Sequence, residues 1–350
     1  MSARKPFHRL QGPQTLGRGP WFWTGFAIVV ALAAAYPLFE DAYTVGNTIY
    51  FFNWTFMALG LCVIWGYGGI LSFGQTALFG VAGYVYGILA LNFGADHGLT
   101  LLSAVAAIAA AATLAAILGY FLFWGRIGGV FLGIVTLSVT LVLERFMAQT
   151  AGPEWHVGRA RLNGFNGMSG MAPLTIPWLG PWPGDDIVLS PDIPLYYVVL
   201  ALLVLAYLGL RMLMNSSFGN VLVAIRENPQ RATMLGYDIR RYQLAAFVVG
   251  GAFAGLSGVL YTSWGQYITP SSMGLTAASL PVVWVAVGGR SDLTTTLIGT
   301  LLVIGGFQAL TIYGSQYALV AMGALLVLTV LGAPEGLVMA ATRLFRRSAR

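Results

Sequence analysis

The residues best suited to recognise a partner lie in one charged stretch, residues 215–243, between two long apolar runs. We call this stretch the charged segment. Asn228 followed by Pro229 is typical of a helix start, because the Asn side chain caps free N–H groups and proline tolerates the first helical position. Gly236 is typical of a helix end. The pattern predicts a short helix at residues 228–235, which has no core of its own and therefore contacts another molecule. The residues expected to act there are Arg226, Glu227, Asn228, Pro229, Arg231 and Gly236.

A second group of candidate residues lies inside an apolar run, where polar side chains usually face a bundle interior or a water-filled path. Ser72, Gln75 and Thr76 stand there among many glycines. The alternative is a tightly packed helix in which the hydroxyls bond to their own backbone, but an amide cannot satisfy itself so easily. A second glycine-rich run, residues 250–258, hints at two pseudo-repeated halves around one pathway. The predicted pathway residues are Ser72, Gly74, Gln75, Thr76 and Gln266.

The remaining polar residues do not form the site of a soluble enzyme. His8, His97 and His156 are widely separated and lack the spacing of metal ligands. The sequence has no glycine-lysine-threonine phosphate loop, so we expect any ATPase to be a separate subunit and this chain to carry no cofactor. Acids inside the apolar runs are almost absent, since Glu144 lies near the end of one. This favours a scaffold driven by a partner over an ion-coupled secondary carrier, which remains the rival class.

The composition identifies the elements that must position these residues. The chain of 350 residues is 57% hydrophobic and 9% charged, whereas soluble proteins carry about 25% charged residues. Apolar runs of roughly 20 residues recur throughout, so we predict an all-α, polytopic helical membrane protein. About ten spans are expected, with eight as the alternative because one run is short. The predicted spans are residues 21–39, 47–65, 68–91, 99–124, 127–147, 194–214, 244–264, 277–289, 293–312 and 317–331.

The distribution of charge predicts the orientation. The net charge of +6 could suggest nucleic acid, but the basic residues cluster in short segments between spans, so no nucleic-acid partner is expected. With both termini in the cytoplasm, only Arg145, Arg159 and Arg161 of the 18 basic residues fall outside. The outer segment is either a solvated connector or a docking surface for an external partner. The predicted parts are a tail at 1–20, a transmembrane domain at 21–338, an outer segment at 148–193, a cytoplasmic loop at 215–243 and a basic tail at 339–350.

The stretch from Ala224 to Gly236 resembles the cytoplasmic coupling loop of the second type of permease subunit in bacterial branched-chain amino acid ABC importers. The resemblance extends over most of the chain, residues 47–337. It implies a transport subunit in the bacterial inner membrane that contacts lipid, a second permease subunit, ATP-binding cassette subunits that bind the ATP, and a periplasmic substrate-binding protein. The motifs that carry the resemblance further are residues 255–261, 268–272, 287–290 and 333–337.

The same family includes importers of urea and short amides, and residues 283–290 are more similar to that type. Branched-chain amino acids and urea or short amides are therefore both candidate solutes. The resemblance implies that solute passes beside Ser72, Gln75 and Thr76. It also implies that the helix of the charged segment sits in a groove of the ATPase, where Arg226 and its neighbours orient it.

Overall fold

The computed structural model describes residues 10–94, 99–177 and 186–348. The first nine residues of the predicted tail, including His8, lie outside the described residues, as do His97, part of the outer segment and the last two residues. The helices are α1 (Pro20–Ala35), α2 (Ala42–Leu61), α3 (Gln75–Leu89), α4 (Thr100–Trp124), α5 (Val130–Ala148), α6 (Ile193–Met214), α7 (Ser217–Glu227), α8 (Pro229–Met234), α9 (Ile239–Gly265), α10 (Leu275–Gly288), α11 (Leu293–Gly332) and α12 (Leu337–Ser348).

Within the described residues, 8 helices are long and apolar enough to cross a membrane. Two shorter apolar helices, Leu275–Gly288 and Tyr317–Gly332, correspond to the eighth and tenth predicted spans. A break at Gly314, with φ 173 and ψ 94, separates the second of them from the first half of α11. With 14 residues, α10 measures about 21 Å and is shorter than a bilayer core of about 30 Å. The prediction of an all-α polytopic membrane protein is confirmed.

Helix α9 is the centre of the bundle and packs against α2, α3 and α4. Small residues make this close approach feasible. A Cβ on Gly258 would lie 2.2 Å from the carbonyl oxygen of Phe79 in α3, and a Cβ on Gly250 would lie 2.8 Å from that of Gly60 in α2. Backbones that approach so closely need glycine. The second glycine-rich run therefore builds the packing of the core.

Residues 10–19 fold against the ends of several helices. Helix α2 continues as a short π-helix, Cys62–Tyr67, and the Tyr67 hydroxyl at its end donates a hydrogen bond of 3.0 Å to the Gln14 carbonyl oxygen. The Leu16 N–H donates to Asp292, the residue before α11, at 2.6 Å. The start of α12 lies on the same side, because Met339 is buried beside Gly289. We call this side the terminal face, and it also carries the charged segment.

The opposite face carries the described parts of the long segment between α5 and α6, which are more regular than the glycine and proline content of the segment predicts. Asn92 fastens it to the end of α3, since its side chain donates to the Val157 carbonyl and accepts from the Arg159 N–H, both at 2.8 Å. Gly158 and Gly167 make turns at positive φ. The antiparallel pairs are β1 (His156–Val157) with β2 (Ala160–Arg161), β3 (Met168–Ser169) with β6 (Tyr267–Ile268), and β4 (Leu174–Ile176) with β5 (Ile187–Leu189).

Candidate functional site

The chain between α2 and α3 is not helical from residue 68 to residue 74, although a helix was predicted from residue 68. We call it the unwound segment. Its Phe73 N–H donates to Thr136 Oγ1 at 3.1 Å, and its Phe73 carbonyl accepts from Thr140 Oγ1 at 3.2 Å. Thr140 lies at the middle of α5, which has 19 residues. Non-helical backbone thus reaches membrane depth, where it is tolerated only when protein covers it or it lines a cavity. Two α5 threonines supply part of that cover.

The predicted pathway residues at the start of α3 fall into two kinds. Ser72 is buried, and its Oγ accepts a 3.1 Å hydrogen bond from the N–H of Gly74, so it stabilises a local turn. Gln75 and Thr76 are also buried, but neither amide atom of Gln75 nor the Thr76 hydroxyl has a partner among the described residues. A buried polar group left unpaired costs about 1–3 kcal/mol. The structure therefore separates a satisfied serine from two side chains that retain their hydrogen-bonding capacity.

Further side chains, which sequence reasoning missed, share this property. The amide of Asn53 in α2 and the hydroxyls of Tyr84 in α3 and Thr262 in α9 are buried without a partner in the described structure. Thr262 lies against α3, where a Cβ on Gly83 would meet its hydroxyl at 2.7 Å. The available signal was a polar residue within an apolar run. Helices α2, α3 and α9 thus each place a neutral unpaired polar group in the interior.

An aromatic cluster fills the place where α2, α3, α9 and α10 meet. Trp54 stacks on Phe79 with ring centroids 5.0 Å apart and lies 5.6 Å from Trp284. Phe79 in turn lies 5.4 Å from Tyr261. The interior therefore combines neutral polar groups with a large aromatic surface, a composition that suits a small ligand with an apolar part.

Gln266 is not placed with the other predicted pathway residues. It follows α9 at φ 53, and its carbonyl accepts a 3.1 Å hydrogen bond from the Gly170 N–H on the opposite face. The neighbouring Ile268 packs against Gly83. Gly83 comes eight residues after Gln75, which is about 12 Å along the helix axis. The two glutamines therefore lie at different depths.

The short helix predicted in the charged segment is present as α8. The Asn228 side chain accepts from the Arg231 N–H at 2.8 Å, Pro229 is the first helical residue, and Gly236 has φ 85. Local capping thus defines this helix. Helix α7, which Ser216 caps, was not predicted, and α9 begins at Ile239 instead of residue 244.

Arg226 connects the charged segment to the membrane part. Its Nη1 donates to the Gly66 carbonyl, while its Nε and Nη2 donate to Glu227 Oε1 at 3.1 and 2.6 Å. Gly69 lies against it, because a Cβ there would be 2.8 Å from the Arg226 Cγ, and Gly69 also has φ 71. Arg226 therefore touches both ends of the turn that leads into the unwound segment.

The outermost part of the charged segment is apolar, a feature that sequence reasoning missed. Met234 is 87% exposed and Leu235 is 70% exposed, and both lie at the end of α8. Arg231 is also exposed. A capped helix that presents two large apolar side chains to solvent is typical of a docking surface.

A pocket of 710 Å³ on the terminal face lies between the charged segment and the first residues of the unwound segment. Gly69 and Leu71 of the unwound segment line one side, and Arg126, Arg226 and Arg240 line the others. The pocket therefore leads from the charged segment to the backbone that enters the membrane. Among the described residues, no group of three or more His, Cys, Asp or Glu side chains is arranged to hold a metal ion.

Comparison with known proteins identifies the chain's relatives. Residues 43–330 match the family model described as branched-chain amino acid transport system / permease component. The chain is 26% identical to the high-affinity branched-chain amino acid transport system permease protein LivM of Escherichia coli, over 88% of this chain and 73% of that protein. The corresponding LivM of Salmonella typhimurium is 25% identical over the same shares.

A probable branched-chain amino acid transport permease protein LivH of Methanocaldococcus jannaschii is 33% identical over 33% of this chain and 35% of that protein. No solved structure matches the chain.

Proposed function

Since the chain belongs to the branched-chain amino acid transport system permease component family, we propose that it is the transmembrane subunit of an ATP-driven importer. The family match over residues 43–330 is the observation that carries this proposal. The chain supplies the path for the solute and hydrolyses no ATP itself. Relatives named LivM and LivH support a second permease subunit as its partner, and ATP-binding cassette subunits and a periplasmic substrate-binding protein complete the proposed importer.

We place the terminal face in the cytoplasm of a bacterium, with the chain in the inner membrane. Arg126, Arg226, Arg231 and Arg240 all lie at this face, and positive residues are retained on the cytoplasmic side. Exposed apolar side chains such as Leu32 of α1 then face lipid or the second permease. The opposite face, with its short β pairs, meets the periplasmic binding protein.

The proposed solute path passes the unpaired groups at the start of α3. Gln75 and Thr76 offer hydrogen bonds to a solute that has left its water behind, and the first turn of a helix also presents free N–H groups that favour a carboxylate. The aromatic surface around Trp54 suits an aliphatic side chain. An amino acid with a branched apolar side chain uses all three features, whereas urea has neither a carboxylate nor an apolar part. We therefore propose branched-chain amino acids over urea and short amides.

The proposed coupling surface is the exposed end of α8. Met234 and Leu235 would bury their side chains in a groove of the ATPase, worth about 1.5–3 kcal/mol for each fully buried side chain. When the ATPase moves, it displaces α8, and Arg226 transmits this displacement to Gly66 and the unwound segment. In this scheme Arg226 and Glu227 act behind the contact surface, while the apolar end of α8 makes the contact.

Reconstitution tests the proposal as a whole. The chain is co-expressed with a LivH-type permease and its ATP-binding cassette subunits, and uptake of leucine and of urea is measured in proteoliposomes with the binding protein. We expect one stable complex and leucine uptake that requires ATP. Uptake by the permease alone in an ion gradient would instead identify a secondary carrier, and urea uptake without leucine uptake would contradict the solute.

A pair of variants tests the coupling surface. Leu235→Gln should weaken binding of the ATPase subunits and lower ATP-driven uptake, because a polar amide replaces the buried side chain. Leu337→Gln is the matched control, since Leu337 is also exposed on the terminal face, at 42%. Equal loss in both variants, or no loss in either, would contradict docking through α8.

A further inference from the structure

Arg211, near the end of α6, is a fully buried cation with an unusual set of partners. In the described part of the chain no carboxylate pairs with it. Instead its Nε and Nη2 donate to the Leu10 carbonyl at 3.1 and 2.9 Å, Nη1 donates to Leu16 at 2.8 Å, and Nη2 also donates to Gly17 at 2.9 Å. Residues 10–19, which we call the N-terminal strap, therefore wrap around a buried guanidinium.

The same guanidinium contacts a tyrosine of its own helix and two other helices, α1 and α11. Its Nη1 donates to the Tyr207 hydroxyl at 2.8 Å and lies 3.3 Å from Thr294 Oγ1 of α11. Its Cζ lies 4.9 Å from the ring centroid of Phe22 and 5.4 Å from that of Trp23, both in α1. Removing a cation from water costs several kcal/mol unless its donors are all satisfied. Only a planar group with five N–H donors fits this set.

The outer side of the N-terminal strap bonds to the elements that carry the proposed function. Gln14 donates from its side chain to Asn220 of α7 and from its backbone to Asn215 after α6, both at 3.0 Å. Its carbonyl accepts from Tyr67, next to the unwound segment. The Leu16 N–H donates to Asp292, whose other carboxylate oxygen caps α11. One short segment thus bonds to α7 and to the ends of α2, α6 and α11.

We propose that Arg211 is a positioning residue that holds the N-terminal strap as a mechanical link between α7 and the ends of α2 and α11. The inference rests on the proposed function, since it concerns how movement of the charged segment reaches the membrane. The strap has almost no secondary structure of its own, so it transmits displacement only while the guanidinium holds its backbone. Arg226 links the charged segment to Gly66 directly, and the strap supplies a second connection that extends to α11.

The first test measures coupling in the assembled, reconstituted importer. For Arg211→Lys we expect the solute transported per ATP hydrolysed to fall about tenfold, because a compact ammonium cannot span the three carbonyls and the Tyr207 hydroxyl that the planar guanidinium reaches. Complex assembly and ATP hydrolysis should persist. Arg241→Lys is the matched control, as Arg241 is exposed and its ion pair in the described structure is with Asp238, at 3.0 Å. Unchanged transport per ATP in Arg211→Lys, in an importer that transports normally, overturns the link and leaves the proposed function intact.

A milder variant keeps the proposal testable if Arg211→Lys does not fold. Gln14→Ala removes one exposed hydrogen bond to Asn220 and leaves the buried guanidinium untouched. A smaller loss of transport per ATP, with unchanged thermal stability, supports transmission through the strap. A loss of stability without any change in transport per ATP shows a structural role only and refutes the proposal.

Cross-linking provides an independent readout. Cysteines replace Gln14 and Asn220 in a Cys62→Ala background, and a short thiol-reactive linker joins them. If the strap and α7 move together, linking does not lower the ATP-driven uptake of the double-cysteine importer. Abolished uptake on linking, restored when the linker is cleaved, would show that they separate during the cycle and would refute the link.

Discussion

The start of α3 and the charged segment are both polar interruptions of an apolar chain, but they satisfy their polar groups in opposite ways. In the charged segment, Ser216, Asn228 and Asp238 each cap the helix that follows. At the start of α3, the side chains of Gln75 and Thr76 have no partner among the described residues. The caps of the charged segment are therefore satisfied within the chain, whereas Gln75 and Thr76 can still form hydrogen bonds with another molecule.

The difference explains why the two regions perform different tasks in the proposed importer. A segment whose caps are satisfied moves as a rigid piece, which suits the transmission of force. Unpaired groups at membrane depth destabilise the fold and persist where a ligand or water uses them. The comparison therefore predicts that substitutions in the two regions separate stability from transport.

The largest effect is expected at the close contact between α9 and α3, the helix that carries the unpaired Gln75 and Thr76. In Gly258→Ala the new Cβ meets the Phe79 carbonyl at 2.2 Å, so the backbones must separate. We expect a loss of about 1–3 kcal/mol in the free energy of unfolding, measured by thermal unfolding in detergent. Gly209→Ala in α6 is the control, because no neighbouring atom of the described residues lies within 4 Å of its added Cβ. Equal stability of the two variants would contradict the packing.

The next effect separates the two kinds of pathway residue. Gln75→Leu removes no hydrogen bond, so we expect unchanged or higher stability, with leucine uptake reduced about tenfold, the equivalent of one hydrogen bond to the solute. Ser72→Ala should show the reverse, a loss of about 1 kcal/mol of stability and near-normal uptake. Thermal unfolding and proteoliposome uptake are measured on both variants. If Gln75→Leu loses stability and keeps uptake, Gln75 is a packing residue.

A smaller effect is expected from the cap of α8. Asn228→Ala leaves the Arg231 N–H without its acceptor and should cost about 1 kcal/mol of local stability. Hydrogen exchange at the Arg231 amide should accelerate, and ATP hydrolysis stimulated by the permease should fall. Asn228→Asp, which also caps well, should restore both. Unaltered exchange in Asn228→Ala would show that the cap does not hold α8.

The sequence predicted those features that depend on neighbours in the chain. Asn228, Pro229 and Gly236 act within a few residues of each other, so their pattern predicted α8. The helical spans also followed, because length and hydrophobicity decide them locally. The predicted start of α9 was wrong. Arg240 and Arg241 suggested a loop in solvent, yet α9 begins at Ile239. A helix continues past the membrane when a cap such as Asp238 supports it.

The features that the sequence did not predict depend on residues that are far apart. Arg211 is held by backbone carbonyls about 200 positions away. Every residue has such a carbonyl, so the residue types do not show which ones bind it. The unwound segment is fixed by Thr136 and Thr140 of α5, which look like ordinary helix residues. Whether Ser72 or Gln75 has a partner likewise depends on packing. The sequence therefore predicted the region of the site, but only the contacts in the structure separate its paired side chains from its unpaired ones.

The smallest effect concerns Asp41, which caps α2 on the opposite face as Asn228 caps α8. Unlike Asn228, it can be titrated. Hydrogen bonds from the Thr44 side chain and backbone, and from the Tyr43 N–H, hold the pKa of Asp41 below its usual value of 3.8. A lowered pKa in the folded state means that this stabilisation is complete above about pH 4 and disappears as the pH falls through the lowered pKa. Hydrogen exchange at the start of α2 should therefore accelerate in acid. Asp41→Asn keeps a cap but cannot titrate, so hydrogen exchange in this variant should lose the acid dependence. If acid accelerates exchange equally in both proteins, the carboxylate of Asp41 is not the cause.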